Sequence, residues 1–271
     1  MTPEFAAVAP PPAAPPSVFA TRVATLRATL ARSHVDLDSV PVISTCGDHH
    51  GIEDCYRCEI ARDEAGVDPD MVDAVAIAFA HYPSSVLAAA HLAHVSLCKS
   101  IHFDHAHGDQ PDPAGLASYG DARLMISIDG GYRGEFSIEQ VVHHEIFHLI
   151  DRATNGEKVN SDTAWHALNP PRFAYRDPAP VGHRPPGFVN SYATTNELED
   201  RATVFEYMMG QPDALCALAA ADPLVAAKAK LVRDRVAKLL GDQRLPHCAR
   251  KPPKKVVPLA PRPPSILGRM R

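Results

Sequence analysis

One segment limits the fold more than any other, residues 137–156, SIEQVVHHEIFHLIDRATNG. Ser137 followed by Gln140 three positions later is a capping-box start, and Asn155-Gly156 is a stop signal. Spaced at 100° per residue, Ile138, Val142, Ile146 and Leu149 fall within about 80° of one another and form an apolar stripe. His144, His148 and Asp151, at i, i+4 and i+7, fall on a separate face. The segment therefore predicts a helix held by one side while another side presents two imidazoles. Such a helix needs an apolar layer to lie on.

The preceding sequence offers that layer. HVSLCKSIHF (94–103) and ARLMISIDGG (122–131) alternate as strands, the latter with Leu124, Ile126 and Ile128 on one face and Gly130-Gly131 as its end. Residues 18–32 carry Val23, Leu26 and Leu30 at helical spacing. Pro69 to His81 reads as a helix with Met71, Val75 and Phe79 on one side. Pro83 interrupts it, and a further helical stretch runs through Leu87 to about Leu92. Beyond the central segment, His166 to Gly187 is Pro-rich and reads as an irregular surface excursion. A helix follows from about Asn196 to Met209, with Thr194 and Glu197 in capping-box spacing, and a last one from about Asp222 to Leu240. No internal repeat is evident. The pattern predicts a single α+β domain over residues 18–243.

Proline sets its borders. Of 26 prolines in 271 residues, six lie in 1–16, six in 170–186 and seven in 246–264. Residues 1–17 read as a flexible Pro/Ala tail. Residues 244–271 read as a basic Pro-rich tail, with eight Lys or Arg and no acid. A solvated end is the plain reading of this charge run, and docking on an acidic partner or surface the sharper one. The net charge of −5 argues against a globally basic nucleic-acid binder. No run of 18 apolar residues is present, so no membrane span is expected. The N-terminal residues lack a charged region and a continuous apolar stretch of signal-peptide type. The compartment stays open between the cytoplasm and secretion by another route, and so does the oligomeric state.

The cysteines do not decide it. Cys46, Cys55 and Cys58 cluster in CGDHHGIEDCYRC, while Cys98, Cys216 and Cys248 are scattered. The cluster reads as a loop with one disulfide or free thiols, or, with His49 and His50, as a structural zinc site. His102, Asp104, His105 and His107 offer a further His/Asp group, with a solvated loop as the plainer reading.

The chemistry concentrates in His144-Glu145-x-x-His148. Two histidines one helical turn apart can point ring nitrogens at one ion, and Glu145 lies beside them to activate a water. A third ligand is required. The metzincin extension would put Gly at 151 and His at 154; the chain has Asp151 and Thr154, which excludes that class. A Glu on a following helix is the remaining common solution, and SYATTNELEDRATVFEYMMG (191–210) supplies candidates.

Together with HHEIFHLID, this run resembles the gluzincin metallopeptidases related to the anthrax-toxin lethal factor, which include the Pro-Pro endopeptidases. Their pattern falls on His144, Glu145, His148, Asp151, Ser191, Tyr192, Thr195, Asn196, Glu197 and Glu199. The resemblance implies that Glu199, not Glu197, is the third zinc ligand, and that Tyr192 points its phenol at the reacting centre. It covers roughly residues 140–210. The chain differs from the family in carrying Phe147 before the second histidine and Thr203 where a Glu is favoured, with Glu206 a further turn along.

These readings predict a zincin-like fold, a small twisted sheet lying on helices. They predict a zinc metalloendopeptidase of gluzincin type, with Zn2+ held by His144, His148 and Glu199. Glu145 is the expected general base and Tyr192 the expected oxyanion donor. Its partner is a protein or peptide substrate, and no nucleic acid is expected. The strand RLMISI is expected to present an exposed edge to an extended peptide. The alternative is a non-catalytic, zinc-stabilised binding module that docks partners through its tails.

Overall fold

The computed structural model describes residues 15–49, 52–63, 66–103, 112–129, 136–156, 161–175, 179–180, 182–246 and 248. Most of both proline-rich ends, Gly130-Gly131, His50 and the Asp104–His107 cluster lie outside the described residues.

The chain is α+β, with an open six-stranded sheet and eight α-helices among the described residues. In order these are α1 (Val18–Ala31), β1 (Asp36–Leu37), β2 (Val42–His49), β3 (Ile52–Ile60), α2 (Pro69–Ala80), α3 (Ser84–Ala89), β4 (His94–Phe103), β5 (Gly115–Ser118), β6 (Arg123–Ser127), α4 (Ile138–Asn155), α5 (Thr163–His166), α6 (Glu197–Gly210), α7 (Pro212–Ala221) and α8 (Pro223–Leu240). The sheet order is β2-β3-β4-β6-β5, with β1 beside the start of β4. β4 runs parallel to β1 and β6, while the other pairings are antiparallel.

Alternation sorts the sheet residues. Val95, Leu97, Ala117, Leu124 and Ile126 face the helices and join the main core with Val142, Ile146 and Phe205. Ile43, Tyr56, Cys58, Cys98, Ile101, Leu116 and Met125 form a smaller cluster on the other face. The β2–β3 hairpin reaches over that face, where the Thr45 and Ser118 hydroxyls meet at 2.9 Å.

Three expectations change here. The Cys46–Cys58 segment is this hairpin, not a loop, and all six cysteines pair: Cys46–Cys55, Cys58–Cys98 and Cys216–Cys248. Thiols consumed in disulfides cannot hold a metal, so the zinc alternative for that segment is removed. Among the described residues strand β6 lies between β4 and β5 and has no free edge; on this side the sheet ends at the four-residue β5, and on the other at β2. Leu245 is buried and Cys248 is bonded to α7, so the chain is tied to the fold beyond the boundary that composition set at 244.

Helix α4 starts and stops where its signals lie. Ser137 and Gln140 form the capping box, and Gly156, at φ 57°, closes the helix in a conformation that favours glycine. Its surroundings are drier than one apolar stripe implies. Every residue from Ile138 to Asp151 except Glu139 is buried, because α4 runs beneath β5 and β6 and also packs on α2 and α6.

Candidate metal centre

Helices α4 and α6 meet along a seam. Phe147 and Phe205 stack there with ring centroids 4.8 Å apart, which gives the large side chain before His148 a packing role. The seam is also pinned by charge. Buried Arg201 on α6 donates from Nε to Asp151 at 2.7 Å and from a terminal nitrogen to Glu197 at 2.5 Å. The Glu197 carboxylate also meets His166 at 2.5 Å and accepts the Asp162 N–H at 3.0 Å. The Asp151–Arg201 pair thus sets the register between the two helices, and Glu197, on the same helix as Arg201, holds the guanidinium in place for it.

With that register, Glu199 faces the α4 imidazoles. The start of α6 helps to place it: the Asn196 side chain accepts the Glu199 N–H at 2.9 Å, so Asn196 is the cap rather than Thr194, which lies in a preceding 3-10 turn. His144 Nε2 lies 2.8 Å from Glu199 Oε2, and His148 Nε2 lies 3.6 Å from Glu199 Oε1. Nitrogen and carboxylate atoms of His144, His148 and Glu199 come within 4.8 Å of one another, an arrangement able to hold a metal ion. All three residues are buried.

The far nitrogen of His144 is fixed as well. Its Nδ1 meets Glu206 Oε2 at 2.7 Å, which aims Nε2 at the Glu199 side. Glu206 therefore fixes the orientation of the His144 ring. Burial penalises a charged His144, but the hydrogen bonds to Glu199 and Glu206 outweigh it and raise the pKa well above the ordinary histidine value. Three buried carboxylates, Glu145, Glu199 and Glu206, surround two imidazoles. That donor set is able to hold a cation, which would relieve the repulsion of like charges in a dry site.

Glu145 lies against β5. A Cβ on Gly115 would come 2.7 Å from Glu145 Cγ and 2.7 Å from Val141 Cγ1, so only glycine lets the side chain pass there. The Ala117 N–H then donates to its carboxylate. Burial raises the Glu145 pKa; the neighbouring His144 and His148 pull the other way without cancelling it. Tyr192 comes from the 3-10 turn before α6, with its ring centroid 5.9 Å from that of His144 and its hydroxyl hydrogen-bonded to Glu199. Burial of the hydroxyl, then the charges of Glu199 and Glu145, push its pKa well above the usual tyrosine value. The phenol stays protonated, and the residue as a whole is 44% exposed.

The structure thus brings together all five residues singled out as site candidates: His144, Glu145, His148, Tyr192 and Glu199. Sequence reasoning missed Gly115 and Ala117, since the short strand that carries them has no clear pattern. It also missed Arg201, although Glu197 and Arg201 stand at i, i+4 spacing. A further buried set lies behind α6, where Lys228 reaches Asp200 at 2.6 Å and Trp165 and Tyr175 donate to the same carboxylate at 3.0 and 2.7 Å.

Comparison with protein-family models, with curated proteins and with solved structures gave no match to this chain.

Proposed function

We propose that the chain is a zinc metalloendopeptidase with a zincin-like fold, in which His144, His148 and Glu199 bind Zn2+ and Glu145 acts as general base. The observation that carries this reading is one helix presenting two imidazoles to a carboxylate from a second helix, with a separate buried carboxylate one residue away. Two imidazoles and one carboxylate suit zinc and leave a coordination position open. Bound zinc supplies Lewis acidity, which acidifies water and polarises a carbonyl. Glu145, with its raised pKa, is suited to take a proton on its carboxylate and deliver it to the leaving amine. Tyr192 keeps its proton and can donate to a developing oxyanion. Strand β5 is the sheet edge beside Glu145, and an extended peptide pairing with it would run past that carboxylate.

The test combines metal analysis with a peptide-library digest, run with and without chelator. About one zinc per chain is expected at this centre. Glu199→Ala should lose it, while Glu197→Gln should keep it, because Glu197 holds Arg201 instead. Glu145→Gln should keep zinc and lose nearly all hydrolysis. Full activity in Glu145→Gln would refute the mechanism, and an inactive wild type would favour the binding module.

A further inference from the structure

A second group of metal-binding side chains lies at the other end of α4. Glu139, in its first turn, and His143, one turn later, share a helix face. His81, at the C-terminal end of α2, completes the group. Ligand atoms of the three lie within 4.8 Å of one another. Glu139 Oε1 is 3.7 Å from His143 Nε2 and 3.9 Å from His81 Nε2.

The environment of His143 makes this more than a surface cluster. His143 is 0% exposed, and Tyr82 OH takes up its Nδ1 at 2.7 Å. Its Nε2 is buried without a hydrogen-bond partner. A buried polar atom left unpaired costs about 1–3 kcal/mol. When Nδ1–H donates to the Tyr82 oxygen, Nε2 carries a lone pair aimed at the Glu139 and His81 side, as in a metal-ligating histidine. The His81 and Glu139 side chains are 45% and 34% exposed, so a cation can enter from solvent and both can adjust to it. Bonds of about 2.0–2.2 Å in a tetrahedral site place ligand atoms about 3.3 Å apart. Glu139 Oε1 at 3.7 and 3.9 Å from the two nitrogens therefore needs to close by only about half an ångström.

We propose that His81, Glu139 and His143 form a second Zn2+ site that clamps the end of α2 to the start of α4. Two imidazole donors select a borderline cation such as zinc over Ca2+ or Mg2+. The site does not depend on the peptidase reading, since it shares no residue with the first centre.

The test is equilibrium dialysis of the untagged full chain against buffered Zn2+, followed by elemental analysis. Two zinc ions per chain are expected in the wild type and one in His81→Ala/Glu139→Gln, both of which change partly exposed residues. Glu199→Ala should also keep one, which the added His81→Ala/Glu139→Gln changes remove. In the Glu199→Ala background, zinc should raise the melting temperature only while His81 and Glu139 are intact. Zinc content and melting behaviour indifferent to His81→Ala/Glu139→Gln would overturn the proposal. Zinc lost with those changes but unaffected by Glu199→Ala would uphold this site while refuting the first.

Discussion

Gly115→Ala probes the fit between β5 and the helix beneath it. The added methyl would stand 2.7 Å from Glu145 Cγ, 2.7 Å from Val141 Cγ1 and 2.9 Å from Glu145 Oε1. Carbon atoms rest at about 3.5–4.0 Å, so the contacts must open by about 1 Å. Val141 is buried in the core and gives little, which leaves Glu145 to move away from the Ala117 N–H. Overpacking of this kind costs about 1–3 kcal/mol. At about 3 °C per kcal/mol for a domain of this size, the melting temperature should fall by about 3–9 °C. On the proposed mechanism, a general base displaced by about 1 Å should lower kcat by about 10²-fold. Zinc content should not change, because the three atoms nearest the new methyl belong to Glu145 and Val141 and not to His144, His148 or Glu199. Calorimetry, elemental analysis and turnover of a peptide from the library digest together read these effects. Wild-type stability and turnover in Gly115→Ala would refute the argument that β5 positions Glu145.

Two further predictions concern stability. Lys228→Ala should cost about 3 kcal/mol or more in urea unfolding, because it leaves buried Asp200 without its cation; Lys228→Met with Asp200→Asn should recover much of the loss, and a single-variant cost below about 1 kcal/mol would contradict this. Asp222 caps α8 and also accepts the Gly187 N–H at 2.8 Å; burial pushes its pKa up, but that hydrogen bond, Arg184 and the α8 amides outweigh it and hold the pKa below the ordinary aspartate value. Its stabilisation is therefore full above about pH 4 and is lost as pH falls through the lowered value. Asp222→Ala should cost about 1–2 kcal/mol at neutral pH, with the gap to wild type narrowing on acidification; a gap that widens would show the sign to be wrong.

What the sequence revealed follows from the range of each interaction. Helix α4 was legible because its cap, stop and two histidines all lie within one short segment. Strands β4 and β6 were legible by alternation, but the place of β6 inside the sheet depends on β5, whose GLAS has too few residues to establish a period. The β2–β3 hairpin was hidden by its own composition. Cysteine, histidine and aspartate drew attention to chemistry where Ile43, Thr45, Tyr56 and Cys58 mark strand positions that bury a face. Disulfide partners could not be read at all, since six cysteines allow about 15 pairings. Glu199 was selected only through resemblance. The physical reason, Arg201 bound to Asp151 on a helix far away in sequence, exists only after folding.

The covalent links and the helical seam hold different parts of the molecule. Cys46–Cys55 and Cys58–Cys98 staple neighbouring sheet strands, and Cys216–Cys248 ties α7 to the chain after α8. No disulfide reaches α4 or α6, which are joined by aromatic stacking and the Asp151–Arg201 pair. The free energy of local opening is therefore set by different agents in the two regions. A reductant loosens the sheet and the α7 attachment without severing any bond of the seam. A cation that binds His144, His148 and Glu199 raises the cost of separating α4 from α6 and leaves the staples unchanged. With the proposed metal centre, the chain has two separately adjustable stabilities, one answering to redox potential and the other to free metal.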